Sequence, residues 1–255
     1  SHFQWGLRLF VGYFFLRFYQ KKAAYMNYNF FQRVLHNAVL NNTIVKEASF
    51  SLEKSMTNVD MVRDCSAHVF VTGMARSGTT ILLQALHDTG KFASLTYADM
   101  PFVLSPNLWS KFNHNNQHEK SQERAHGDGI IVDTNSPEAF EEIFWTTYDQ
   151  EKAEKNFSLF VQLVLTRYKK NRYLSKNNQN IHRVSNIARL FPSAQILIPY
   201  RTPLQHAYSI LKQHIRFCHL QKNDNFTRDY MYWTAHSEFG LDYVPLKPSK
   251  IYHDY

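Results

Sequence analysis

A β-branched and aromatic run, Val69-Phe70-Val71-Thr72, ends at Gly73 and gives way almost at once to a leucine-rich segment. Few stretches of this chain constrain its fold as much. Thr79 to Thr89 carries Leu82, Leu83 and Leu86 on one side and stops at Gly90, which is the pattern of a helix ended by glycine. Between strand and helix lies Gly73-Met-Ala-Arg76-Ser77-Gly78-Thr79-Thr80. Its two glycines have the G-x-x-x-x-G spacing of a loop whose backbone N–H groups curl around an anion. The start of the following helix adds its positive dipole end at the same point.

The same alternation recurs downstream. Arg172–Lys176 reads as a strand, Ile181–Phe191 as a helix, Gln195–Tyr200 as an apolar strand and Pro203–Leu220 as a helix. Such βαβ units imply a parallel sheet with both faces covered. Between the two regions, Ser136 is expected to cap a helix that starts at Pro137 and runs through PEAFEEIFW, and Asn156 to Lys170 is expected to form another. Ile130–Val132 reads as a strand or a buried turn, and residues 105–129, rich in Asn, His and Gly, as a loop or lid. Residues 1–64 form a helical, aromatic-rich N-terminal extension, and residues 65–255 the α/β domain. The apolar run Leu9–Leu16 is too short to span a membrane. Phe10, Phe14 and Phe18 make a helical stripe, expected to pack on the domain or to pair two subunits as a homodimer, with a membrane surface as the lesser alternative.

Composition enters through charge. From Lys155 to Asn223 there are twelve Lys and Arg and no Asp or Glu; from Glu119 to Glu154 there are ten acids against three bases. A long one-signed stretch either balances an acidic neighbour or concentrates a polyanionic ligand. Two cysteines, Cys65 and Cys218, exclude a disulfide scaffold and a cysteine zinc site and fit a reducing, cytoplasmic setting. No helix-turn-helix, RNP or zinc-finger signature points to nucleic acid.

The loop departs from the nucleotide-hydrolase pattern in an informative way. Thr79 stands where that pattern has its lysine, and the cation is instead Arg76. A phosphate site that works without a metal is expected. The run R-S-G-T-T, after a strand and before a Leu-rich helix, resembles the 5′-phosphosulfate loop of sulfotransferases that use 3′-phosphoadenosine 5′-phosphosulfate (PAPS). It is most similar to the branch with arginine in the loop, which includes carbohydrate, tyrosylprotein and bacterial enzymes. A second motif extends the resemblance: a strand running into Arg201-Thr202-Pro203, with Ser209 eight residues beyond the arginine, similar to that family's 3′-phosphate site. An arginine at a strand end offers a bidentate fork to phosphate whatever the family.

The resemblance implies an α/β fold, a three-layer parallel sheet with flanking helices of the P-loop nucleotide-hydrolase type. It also implies PAPS as sulfuryl donor and a hydroxyl or amine acceptor, with carbohydrate and lipid as the candidate classes. Arg76, Ser77, Gly78, Thr79, Thr80, Arg201 and Ser209 would bind the donor. Lys176 would stabilise charge on the transferred group, and Asp99 would be the general base, with His114 and His118 as alternatives. Trp233, His236, Glu238 and Gly240 receive no role. The family's basic, glycine-containing loop near the C-terminus is not evident before Tyr255, so truncation or replacement by another segment is expected there. A metal-dependent kinase with a variant loop and a nucleic-acid-binding protein are the competing readings.

Overall fold

The computed structural model describes residues 28–59, 67–113 and 121–245. Its centre is a parallel sheet of three short strands: β1 (Val69–Val71), β4 (Leu174–Lys176) and β5 (Gln195–Leu197), in the order β4-β1-β5. Val71 pairs with Lys176 on one side and with Leu197 on the other. A parallel bridge from Ala93 to Tyr173 extends the sheet beyond β4. A separate antiparallel hairpin is made by β2 (Gln122–Glu123) and β3 (Ile131–Val132).

Alternation along β1 builds the layers. Val69 and Val71 face Leu83, Phe92 and Leu174, beneath helix α3 (Thr79–His87). Phe70 points the other way, into a larger core with Tyr173, Phe157, Ile187 and Phe191. That second face is covered by α5 (Glu141–Thr147), α6 (Gln150–Tyr168) and α7 (Val184–Leu190). The result is the expected three-layer α/β architecture with a parallel sheet. N-terminal helices α1 (Phe30–Leu40) and α2 (Thr43–Met56) precede it, and Phe50 of α2 lies in the main core against Phe144 and Tyr148. Glu53, fully buried, accepts hydrogen bonds from the N–H groups of Asn107 and Leu108 and so caps α4 (Pro106–Phe112). The last described elements are α8 (Pro203–Asn223) and α9 (Asn225–Trp233), followed by coil through residue 245.

Several element boundaries differ from expectation. α5 begins at Glu141, not Pro137, because residues 136–138 are drawn into extended pairing: Tyr97 N–H donates to Ser136 O and Glu138 N–H to Leu95 O. Ser136 does not cap the helix; its hydroxyl donates to Asp133 Oδ1. α6 begins six residues earlier than Asn156, since Asp149 accepts from Lys152 N–H as an N-cap. The β5 ladder stops at Leu197, two residues before Pro199, which has no N–H to donate. Part of the expected lid is helix α4 and part is the β2–β3 hairpin. Among the described residues no helix is long and apolar enough to cross a membrane. The run Leu9–Leu16 and its phenylalanine stripe, Cys65, His114 and His118 lie outside the described residues.

Candidate active site

The loop after β1 takes its shape from its glycines. Gly73 has φ 128° and Gly78 φ 107°, conformations that residues with a Cβ rarely adopt. A Cβ on Gly73 would stand 3.4 Å from Ile198 Cγ2, so the chain leaving β5 passes directly beside the loop. Gly78 precedes α3 and supplies no side-chain cap, which leaves the first N–H groups of that helix without a side-chain partner there. Ser77, Thr79 and Thr80 are buried at this helix start, and the Ser77 hydroxyl has no hydrogen-bond partner among the described residues.

α8 closes the loop from the other side. Pro203 opens it, where a missing N–H costs little. One turn on, His206 Nε2 donates to Ala75 O at 2.7 Å. Ser209 Oγ then accepts from Arg76 Nε at 3.3 Å, across 133 positions of sequence. The loop motif and the serine of the second motif are thus in direct contact. Arg201 is exposed and makes no hydrogen bond or ion pair among the described residues.

A line of alternating charge runs from Arg76 to β4. Arg76 pairs with Asp128 at 2.7 Å, and Asp128 with Arg124 at 2.6 Å. Arg124 lies 3.7 Å from Glu138, and Glu138 3.4 Å from Lys176. Burial alone would raise the Glu138 pKa, but the Lys176 and Arg124 cations outweigh it and hold the carboxyl down at about 2. Burial likewise opposes ionisation of Asp128, and its bonds with Arg124 and Arg76 overcome it and hold the carboxyl well below the usual carboxylate range.

Asp99 sits elsewhere. It is buried in a turn (Tyr97–Asp99), where Oδ2 accepts from Thr96 N–H at 2.9 Å and from the Tyr168 hydroxyl at 2.6 Å. Arg167 is 3.7 Å from its other oxygen. Burial pushes its pKa up to about 6 in spite of these donors. Its contacts tie the turn to the end of α6, whereas the carboxylate in contact with Lys176 is Glu138. Neither Glu138 nor the Arg124–Asp128 pair was singled out by sequence. Asp128 had one available signal, a glycine on each side, which marks a tight turn. Glu138 had none, because its surroundings read as helix interior.

A cavity of about 300 Å³ opens beside the loop, lined by Gly73, Ala75, Asn178, Ile210, Glu238 and Tyr243 among others. Glu238 accepts from Asn178 Nδ2 at 2.7 Å and lies 3.6 Å from His236 Nδ1. Burial would raise its pKa, but His236 and Asn178 hold it down at about 2. Among the described residues no group of three or more His, Cys, Asp or Glu side chains is arranged to hold a metal ion.

A family model described as Sulfotransferase family matches residues 68–243, more than half of the chain. No curated protein matches the chain. Among solved structures the chain is similar to sulfotransferase STF9 from Mycobacterium avium, with 12% identity and TM-score 0.44 over 83% of this chain and 68% of that one. It is also similar to sulfotransferase STF1 from Mycobacterium tuberculosis H37Rv, with 13% identity and TM-score 0.41 over 77% of this chain. The match spans 61% of the STF1 chain.

Proposed function

Because the chain belongs to the sulfotransferase family, we propose that it moves a sulfuryl group from PAPS to a hydroxyl-bearing acceptor of the carbohydrate or lipid class. The observation that supports this reading is the 3.3 Å hydrogen bond between Arg76 and Ser209, which brings one residue of each expected anion motif into contact. The loop also suits a phosphate. Among the described residues the buried Ser77 hydroxyl lacks a partner, the start of α3 lacks a side-chain cap, and a Cβ at Gly78 would meet nothing within 4 Å.

When bound, the donor supplies a sulfur electrophile whose leaving group is adenosine 3′,5′-bisphosphate. Arg76, Ser77, Gly78, Thr79 and Thr80 would hold its 5′ end by backbone N–H groups, hydroxyls and one guanidinium. Arg201 and Ser209 would hold the 3′-phosphate. Lys176 would neutralise charge developing on oxygen. We assign the acceptor proton to Glu138 rather than Asp99, since Glu138 shares its site with Lys176 and Arg124. An anion that draws these two cations toward itself relieves the pull that depresses Glu138 and makes it a stronger base.

Calorimetry with adenosine 3′,5′-bisphosphate in the presence of a chelator tests the reading. Micromolar or tighter binding is expected, with ATP a poor competitor. Binding that demands magnesium and accepts ATP equally well would favour a kinase and sink the sulfotransferase assignment. A screen of acceptors with labelled PAPS then identifies the substrate.

A further inference from the structure

Two residues of the turn between β2 and β3, outside both anion motifs, close a ring with the phosphate loop. Arg76 donates from NH1 to Asp128 Oδ2 at 2.7 Å. Arg124 forks onto the same carboxylate, Nε to Oδ1 at 3.0 Å and NH2 to Oδ2 at 2.6 Å. The remaining arm of Arg124, NH1, donates to Thr80 Oγ1 at 3.2 Å. The ring therefore leaves the loop at residue 76 and returns to it at residue 80. Its charged members are shielded from water, with side-chain exposures of 18% for Arg76, 14% for Asp128 and 6% for Arg124.

This ring does three things for the loop. Arg76 has φ 69°, a left-handed conformation that a residue with a Cβ keeps only where its surroundings over-determine it. Asp128 on NH1 and Ser209 on Nε supply that restraint from two different elements. Next, two guanidinium groups that converge on one site repel unless a carboxylate lies between them, and Asp128 is that carboxylate. Finally, Thr80 accepts from Arg124, so its own hydroxyl proton is turned away from Arg124 and can be donated elsewhere. The turn itself is seated firmly. Arg216 of α8 donates to Ala125 O at 2.8 Å, and a Cβ on Gly127 would stand 2.5 Å from Arg216 Cζ. The turn is thus fixed to the same helix that carries Ser209.

We propose that Asp128 and Arg124 are positioning residues that hold Arg76 and Thr80 in the anion-binding geometry, an inference that rests on the sulfotransferase reading above. Asp128→Asn and Arg124→Lys test it, with calorimetric binding of adenosine 3′,5′-bisphosphate as the direct readout. Each removes one charge-assisted or forked contact while keeping size. Each variant is expected to weaken bisphosphate affinity about tenfold and to raise the donor KM by the same factor. The acceptor KM stays unchanged, a split that a general loss of folded protein would not produce. Should Asp128→Asn fail to fold, Arg124→Lys carries the test alone. A folded variant that binds the bisphosphate as tightly as the wild type overturns the inference and leaves the function standing. Tighter binding also overturns it, because Asp128 would then be competing with the ligand. Wild-type protein that does not bind the bisphosphate overturns both.

Discussion

The two arginines that carry the anion motifs live in opposite circumstances. Arg76 is shielded, bonded at two nitrogens, and held in an unusual backbone conformation by the hairpin turn and by α8. Arg201 stands in solvent where the chain leaves edge strand β5, with no partner among the described residues. If both arginines bind the donor as proposed, Arg76 is organised before any ligand arrives, and Arg201 has its ordering cost still to meet on binding.

The largest effect is expected away from both arginines, and it sets the scale. Glu138→Gln should cut turnover by about 10²- to 10⁴-fold while leaving bisphosphate affinity within about twofold, as measured by steady-state kinetics and calorimetry. Should Asp99→Asn produce that loss instead, the two carboxylates exchange roles. Arg76→Ala comes next, with bisphosphate affinity falling about 100-fold, because a shielded, pre-aligned guanidinium is lost. Arg201→Ala should cost about tenfold or less, and the cost should shrink in high salt, since an exposed charge is screened. An Arg201 effect larger than the Arg76 effect, or one indifferent to salt, would break the comparison.

The smallest effect on activity is expected for Asp99→Asn, and its signature is in stability. Burial raises the Asp99 pKa to about 6 in the folded protein from an ordinary 3.8, so the folded state holds the proton more tightly in that window. This group's contribution to stability therefore falls as pH rises from about 4 to 6 and stays low above it, by an amount on the order of 3 kcal/mol. Asp99→Asn removes that decline, so thermal melts should show the variant gaining on the wild type between pH 4 and pH 7. Glu138 has the opposite sign: Lys176 and Arg124 hold its folded pKa at about 2, below the ordinary 4.5. Its stabilisation is present above pH 4.5 and is lost as pH falls toward 2. Asp99→Asn tracking the wild type between pH 4 and pH 7 would show that Asp99 does not titrate as its contacts imply, and Glu138→Gln tracking it between pH 2 and pH 4.5 would show the same of Glu138.

Much of the fold was legible because it is written in local chemistry. The glycine loop, the Thr79 helix start and Pro203 at the head of α8 each follow from residues within a few positions of one another. The Pro137 helix start and the Asn156 start failed for a shared reason. Periodicity marks where a helix is favourable, but pairing to residues 95–97 removed its first turn in one case, and the Asp149 cap extended it in the other. The same pairing placed Glu138 in extended chain beside Lys176, where no helical pattern would have put it. Asp99 was named only through the family resemblance, and its enclosure by Thr96 and Tyr168 was not legible, because Tyr168 arrives from 69 residues away.

From sequence alone came the strand–loop–helix with its two glycines and the order of the two motifs proposed to bind the donor, since both depend on backbone freedom and spacing that neighbouring residues impose. The tertiary structure decided which carboxylate faces the β4 lysine, which arginine is braced, and that a hairpin turn joins residues 76 and 80. Those outcomes rest on contacts between distant segments, whose register is fixed only when the sheet and the helices pack.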